Sequence, residues 1–120
     1  MIKAVIFDMF ETLVTLFVGR TYFSEDIAKD LGIEIESFRK EWHTTEQDRT
    51  TGKYTIKQAL ELVLLQLGIF TPEKLELIAS HRTAALEDTF SAIPKESVQL
   101  LKDLKAREIK IGLITNTFSD

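Results

Sequence analysis

Asp8 stands at the end of a short apolar run, Val5-Ile6-Phe7, and the chain turns at once through Glu11 and Thr12. Strand interiors disfavour Asp, and a lone buried carboxylate is costly, so packing gives a poor account of it. In open α/β sheets, ligands bind outside the carboxyl ends of the strands. An acid there is offered to whatever binds, and Asp8 is the first candidate for chemistry. The alternative is that it caps the turn after the strand, a place Asp also favours. A second apolar run, Ile111-Gly112-Leu113-Ile114, ends in three small polar residues, Thr115, Asn116 and Thr117.

The segments between must bring these two ends together. Ile2 to Phe7 reads as a fully buried strand of the kind found in parallel sheets. From about Tyr22 to Phe90 the period becomes helical. Ser24-Glu25-Asp26 offers an N-cap with acids in the first turn, and Gly32 a stop. A second helix is expected from Glu36, with Ile35, Phe38 and Trp42 on one face, fading at Thr50-Thr51-Gly52. Thr55 and Gln58 have capping-box spacing before the broad apolar stripe Ala59, Leu60, Val63, Leu64 and Leu67, which Gly68 closes. Thr71-Pro72-Glu73 starts another helix, carrying Leu75, Ile78, Ala79, Ala85 and Leu86 to about Thr89. A last helix follows Pro94 with Val98, Leu101 and Leu104 on its buried side, and leads into the second strand.

The predicted order is strand, four-helix insert, helix, strand. A right-handed crossover makes the two strands parallel and sets Asp8 beside Thr115 and Asn116, with the insert above them.

Composition narrows the function. A chain of 120 residues suits one small domain or a piece of a larger one. Its net charge of −4 argues against a nucleic-acid footprint, although a local site can still attract anions. With no cysteine, disulfides, thiolate zinc sites and cysteine nucleophiles are excluded. Apolar stretches such as Leu62–Leu65 are too short to span a bilayer, and Met1-Ile2-Lys3 enters a strand without a signal-peptide pattern. A cytoplasmic protein without membrane attachment is expected. No Walker A, Gly-x-Ser-x-Gly or His-Glu-x-x-His motif is present. His43 and His81 lack metal-ligand spacing and are expected at the surface, with Trp42 and Phe38 in the core of the insert. Lys95, Lys102, Asp103, Lys105 and Arg107 read as a solvated helix face. The pairs Thr44-Thr45 and Thr50-Thr51 are candidates to border the entrance of the insert.

The run Val5-Ile6-Phe7-Asp8-Met9-Phe10-Glu11-Thr12-Leu13 resembles the first motif of the haloacid dehalogenase-like hydrolase superfamily, three apolar residues followed by Asp-x-Asp-x-Thr-Leu. Leu113-Ile114-Thr115-Asn116 resembles its second, and the helices between resemble its helical cap. The resemblance covers the whole chain. It implies an α/β fold, a partial doubly wound, Rossmann-like parallel sheet with an inserted cap. Residues 1–16 and 91–120 would form the core and 17–90 the cap. It further implies a hydrolase acting on a small anionic organic substrate, a phosphate ester or a 2-haloacid, through a covalent ester on Asp8. Thr115 would orient the bound anion, Asn116 would add polar contacts, and Thr12 would brace the loop. In a phosphatase, Asp8 and the backbone carbonyl of Phe10 would help hold Mg²⁺; dehalogenase-like members use no metal.

Two departures from the pattern stand out. Phe10 replaces the second acid, which in phosphatases protonates the leaving group and activates water, and a phenyl ring can do neither. Dehalogenase-like members also carry an aromatic there, and draw a cap arginine to the halide; Arg39 lies in a similar place, with a solvated helix arginine as the alternative. The second departure is that the chain stops at Asp120, before the family's third and fourth motifs. The expectation is a shortened, inactive chain whose open sheet edge is completed by a missing C-terminal half or by self-association. The alternative function is a non-catalytic relative that binds a small anion or a protein partner.

Overall fold

Apolar runs near both ends of the chain form strands, and the helix-favouring stretch between them forms helices. The computed structural model describes residues 1–16 and 18–116. In chain order the elements are β1 (Ala4–Phe7), α1 (Ser24–Leu31), α2 (Ile35–Thr44), α3 (Glu46–Thr50), α4 (Ile56–Gln66), α5 (Pro72–Ser91), α6 (Lys95–Ala106) and β2 (Lys110–Leu113). The strands pair in parallel, Ala4 opposite Lys110 through Phe7 opposite Leu113. The fold is α/β, an open two-stranded piece of a Rossmann-like sheet with six helices among the described residues.

The chain divides into two compact units. One is Met1–Thr21 with Ala85–Asn116, and holds the sheet; the other is Tyr22–Ala84 and is helical.

The helical unit has a core of its own. Phe38, Leu60, Val63, Leu64 and Ile78 are shut from water, with Ile27, Leu31, Ile56 and Leu75 around them. Full burial of each such side chain is worth about 1.5–3 kcal/mol over leaving it exposed. As expected, the Thr55 hydroxyl accepts from the Gln58 N–H at 3.2 Å while the Gln58 side chain accepts from the Thr55 N–H at 2.9 Å. Gly32 and Gly68 end α1 and α4 with φ near +68°, where other residues pay for their Cβ. Two details differ from expectation. Ser24 does not cap α1; Asp26 does, accepting from the Phe23 N–H at 2.9 Å. The helix expected from Glu36 to about Thr50 is broken at Thr45, whose N–H and hydroxyl both donate to the Trp42 carbonyl, at 3.1 and 2.7 Å. The guanidinium of Arg49 fills the space at this break, 3.9 Å over the Trp42 ring and 2.9 Å from the Thr45 hydroxyl. Burial pushes the Arg49 guanidinium below its ordinary range, opposed by Glu46 and reinforced by Arg82.

The sheet unit is thinner. The strand expected to be fully buried over Ile2–Phe7 is four residues long and alternates in exposure, with Ile6 63% open to water. An apolar run buries both faces only where layers cover both, and among the described residues β1 has one strand neighbour. The α6 helix likewise buries no residue completely: Leu101 and Leu104 are half-buried and Val98 is exposed. Its basic face is solvated, as the charge pattern predicted. Val14, Ala85 and Thr89 are the buried residues of this unit among those described.

Candidate active site

Parallel pairing sends both strands out at the same edge of the sheet. The Ile114 N–H donates to the Phe7 carbonyl at 2.9 Å, carrying the ladder one step past β2. Asp8 and Thr115 follow immediately and lie together. The Thr115 hydroxyl donates to the Asp8 carboxylate, as do the Met9 N–H and, at 3.3 Å, the Thr12 hydroxyl. These donors, Thr115 first, hold the Asp8 carboxyl below its ordinary range; desolvation opposes them and is outweighed by Thr115 with the lesser help of Met9 and Thr12. Hydrogen bonds to the charged form favour it. Asp8 is therefore an exposed anion at neutral pH with three donors at its carboxylate.

Asp8, Phe10, Ile114, Thr115 and Asn116 line one hollow of about 270 Å³. Of the predicted site residues, the structure thus gathers Asp8, Phe10, Thr115 and Asn116 around the hollow, with Thr12 bonded to Asp8. Arg39 belongs to the helical unit, where its guanidinium is paired with Glu25 and, at 3.1 Å, with Glu36. His43 and His81 are exposed but each binds an acid: Glu46 at 2.9 Å and Asp30 at 2.8 Å. The hydroxyls of Thr44, Thr45, Thr50 and Thr51 bond main-chain carbonyls of their own helices, at Glu41, Trp42, Glu46 and Gln47.

The turn that carries Asp8 is tightly closed. The Met9 carbonyl accepts from the N–H groups of Thr12, Leu13 and Val14, at 3.2, 2.8 and 3.1 Å. Phe10 packs its ring against the edge of Phe90 on α5, with centroids 6.1 Å apart. That contact, and Ile114 in the wall, were not foreseen from sequence; neither residue carries a chemical group that marks it. The site is a single ionised carboxylate with a hydroxyl and an amide beside it and an apolar wall opposite.

A family model for haloacid dehalogenase-like hydrolases matches residues 2–120. The chain belongs to the haloacid dehalogenase-like hydrolases. Neither the curated proteins nor the solved structures yield a match. In this hydrolase the first motif is β1 with its turn and the second is the end of β2, so the two motifs meet through the strand register itself. No helix among the described residues is long and apolar enough to cross a membrane.

Proposed function

We propose that this hydrolase acts on a small anionic organic substrate with Asp8 as nucleophile. The observation that supports this most is the ionised carboxylate at the strand end, oriented by Thr115, Met9 and Thr12. One Asp8 oxygen attacks carbon or phosphorus, the bond to the leaving group breaks, and its electron pair departs with that group. Water opens the resulting ester, returning the carboxylate, with the water's protons passing to product and solvent. Thr115 and Asn116 hold the anionic group of the substrate.

Phe10 shapes the choice of substrate. It transfers no proton, so the leaving group must depart without one, as a halide or a weakly basic aryl oxide does. The superfamily commonly uses Mg²⁺. Asp8 and the carbonyl of Phe10 are one carboxylate and one main-chain oxygen, and no three acid or histidine side chains cluster among the described residues. That donor set suits a Mg²⁺ that keeps mostly water and substrate oxygens as ligands. When bound it would neutralise charge on a phosphoryl group.

The test uses the protein encoded by the complete reading frame. It is assayed with an aryl phosphate plus Mg²⁺ and with 2-chloropropionate without metal. Turnover of one is expected, falling by roughly a thousandfold or more in Asp8→Asn. Hydrolysis in ¹⁸O-water separates the two: attack at carbon puts label into Asp8, attack at phosphorus into phosphate. The second reading, a non-catalytic anion binder, is favoured by the presence of Phe10 where an acid would serve. It predicts a raised melting temperature with either anion and no turnover.

A further inference from the structure

Two non-glycine residues among those described adopt left-handed backbone, Glu11 and Glu108, each with φ of 57°. An L side chain is disfavoured there, and such residues persist where the surroundings hold them. Glu108 has an ordinary reason. It follows α6, with its N–H on the Lys105 carbonyl at 3.0 Å and the Ile109 N–H on Leu104 at 3.0 Å, the pattern that ends a helix. Its carboxylate takes no bond among the described residues.

Glu11 has no helix to end. It sits inside the turn that carries Asp8 and Phe10, and three bonds tie it forward along the chain. Its N–H donates to the Val14 carbonyl at 2.7 Å. One carboxylate oxygen accepts from the Leu16 N–H at 2.8 Å, and the other from the Thr15 hydroxyl at 3.1 Å. Phe10 and Val14 are bridged across the same loop. Both oxygens take part in this brace, and Glu11 is not among the residues that line the hollow. It ties the loop forward to Val14, Thr15 and Leu16, while Thr12 and Met9 of the same loop bond Asp8. A glycine would make the same backbone bend without strain and without the brace.

We propose that Glu11 is a positioning residue: its carboxylate, bound to Leu16 and Thr15, locks the turn so that Thr12 and the Met9 N–H stay aimed at Asp8 and the Phe10 ring stays against the hollow. Its effect on the reaction rests on Asp8 being the nucleophile, as proposed above; its effect on Asp8 geometry does not.

The experiment compares Glu11→Gly, Glu11→Gln and the control Glu108→Gly in the complete protein. The side-chain carboxyl ¹³C signal of Asp8 is recorded at neutral pH without substrate, together with melting temperature and, where turnover is found, kcat and KM. Glu11→Gly is expected to move the Asp8 signal with little loss of melting temperature, because relief of backbone strain offsets the lost brace. Its kcat is expected to fall about ten- to hundredfold with KM within about threefold, the pattern of a misaimed reacting group. Glu11→Gln keeps an acceptor for Leu16 and is expected to restore both signal and kcat; Glu108→Gly should change neither. An Asp8 signal unmoved in Glu11→Gly overturns the proposal whether or not the protein turns over. Full turnover in Asp8→Asn, with the Asp8 signal of Glu11→Gly displaced, would instead overturn the nucleophile assignment and leave the positional role standing.

Discussion

Phe38, Leu60, Val63, Leu64 and Ile78, the largest side chains fully closed to water, all belong to Tyr22–Ala84. In the sheet unit the strand residues Ile6, Ile111 and Leu113, with Ile114 just beyond β2, are 43–71% exposed. Of the exposed large apolar side chains described, only Phe23, Leu65 and Leu77 lie in the helical unit. The helical unit is held by burial. The sheet unit is held by its short ladder and by local bonds such as those of Glu11 and Met9. Hydrogen bonds of this exposed kind are each worth about 0.5–1.5 kcal/mol. The proposed chemistry therefore sits in the part of the molecule with the least core of its own, where local geometry rather than packing aims the groups.

The sharpest way to break this contrast is Leu60→Ala. It should cost the helical unit about 2–5 kcal/mol in denaturant unfolding, while the Asp8 carboxyl signal stays where it was. A large shift of that signal would mean that the sheet unit leans on the helical core. Next is Gly19→Ala in the sheet unit. An added Cβ would lie 2.7 Å from the Cβ of Asp88, so one side must move. The expected cost is about 1–3 kcal/mol, with loss of the bonds from the Arg20 N–H and Nε to Asp88 at 3.2 and 2.8 Å.

Acid offers a gentler probe of the same place. The Arg20 side chain, then its N–H, holds the Asp88 carboxyl below its ordinary 3.8. A carboxyl depressed in the folded state adds stability that is fully present above its unfolded value and is lost as pH falls through the folded one. Protection of the residue-20 amide, corrected for its intrinsic exchange, should therefore fall only below about pH 4, and Arg20→Gln, which keeps the main-chain donor, should weaken the dependence without removing it. The smallest effect is expected from Ile6→Ala, within about 0.5 kcal/mol, because most of that side chain already meets water. A cost several times larger would show that something covers this face in solution.

Much of this could be read from residue types. The capping box at Thr55, Pro72 after Thr71, and the glycines at 32 and 68 each impose a local backbone state, and the helices begin and end where they demand. Asp8 and Thr115 could be brought together on paper because strand polarity and crossover handedness leave few alternatives. What escaped was decided by neighbours. Ile6 looks like an interior residue, yet burial depends on a covering layer and not on its own hydropathy. The break at Thr45 comes from a hydroxyl competing for the Trp42 carbonyl with a guanidinium stacked above it, a contact that no spacing announces. The left-handed state of Glu11 runs against its residue preference, and only the partners at Thr15 and Leu16 reveal it.

The register of the sheet sets Ala4 beside Lys110, so the two strands that carry the hollow are separated in sequence by the whole helical unit. During synthesis the amino-terminal strand leaves the ribosome with nothing to pair with, while the helices after it are made from near neighbours and close early. Asp8 gains its hydroxyl neighbour only once residue 115 has emerged. The nascent protein thus carries Asp8 without its hydroxyl neighbour while the whole helical unit is being made, and the hollow closes only after that unit has been synthesised.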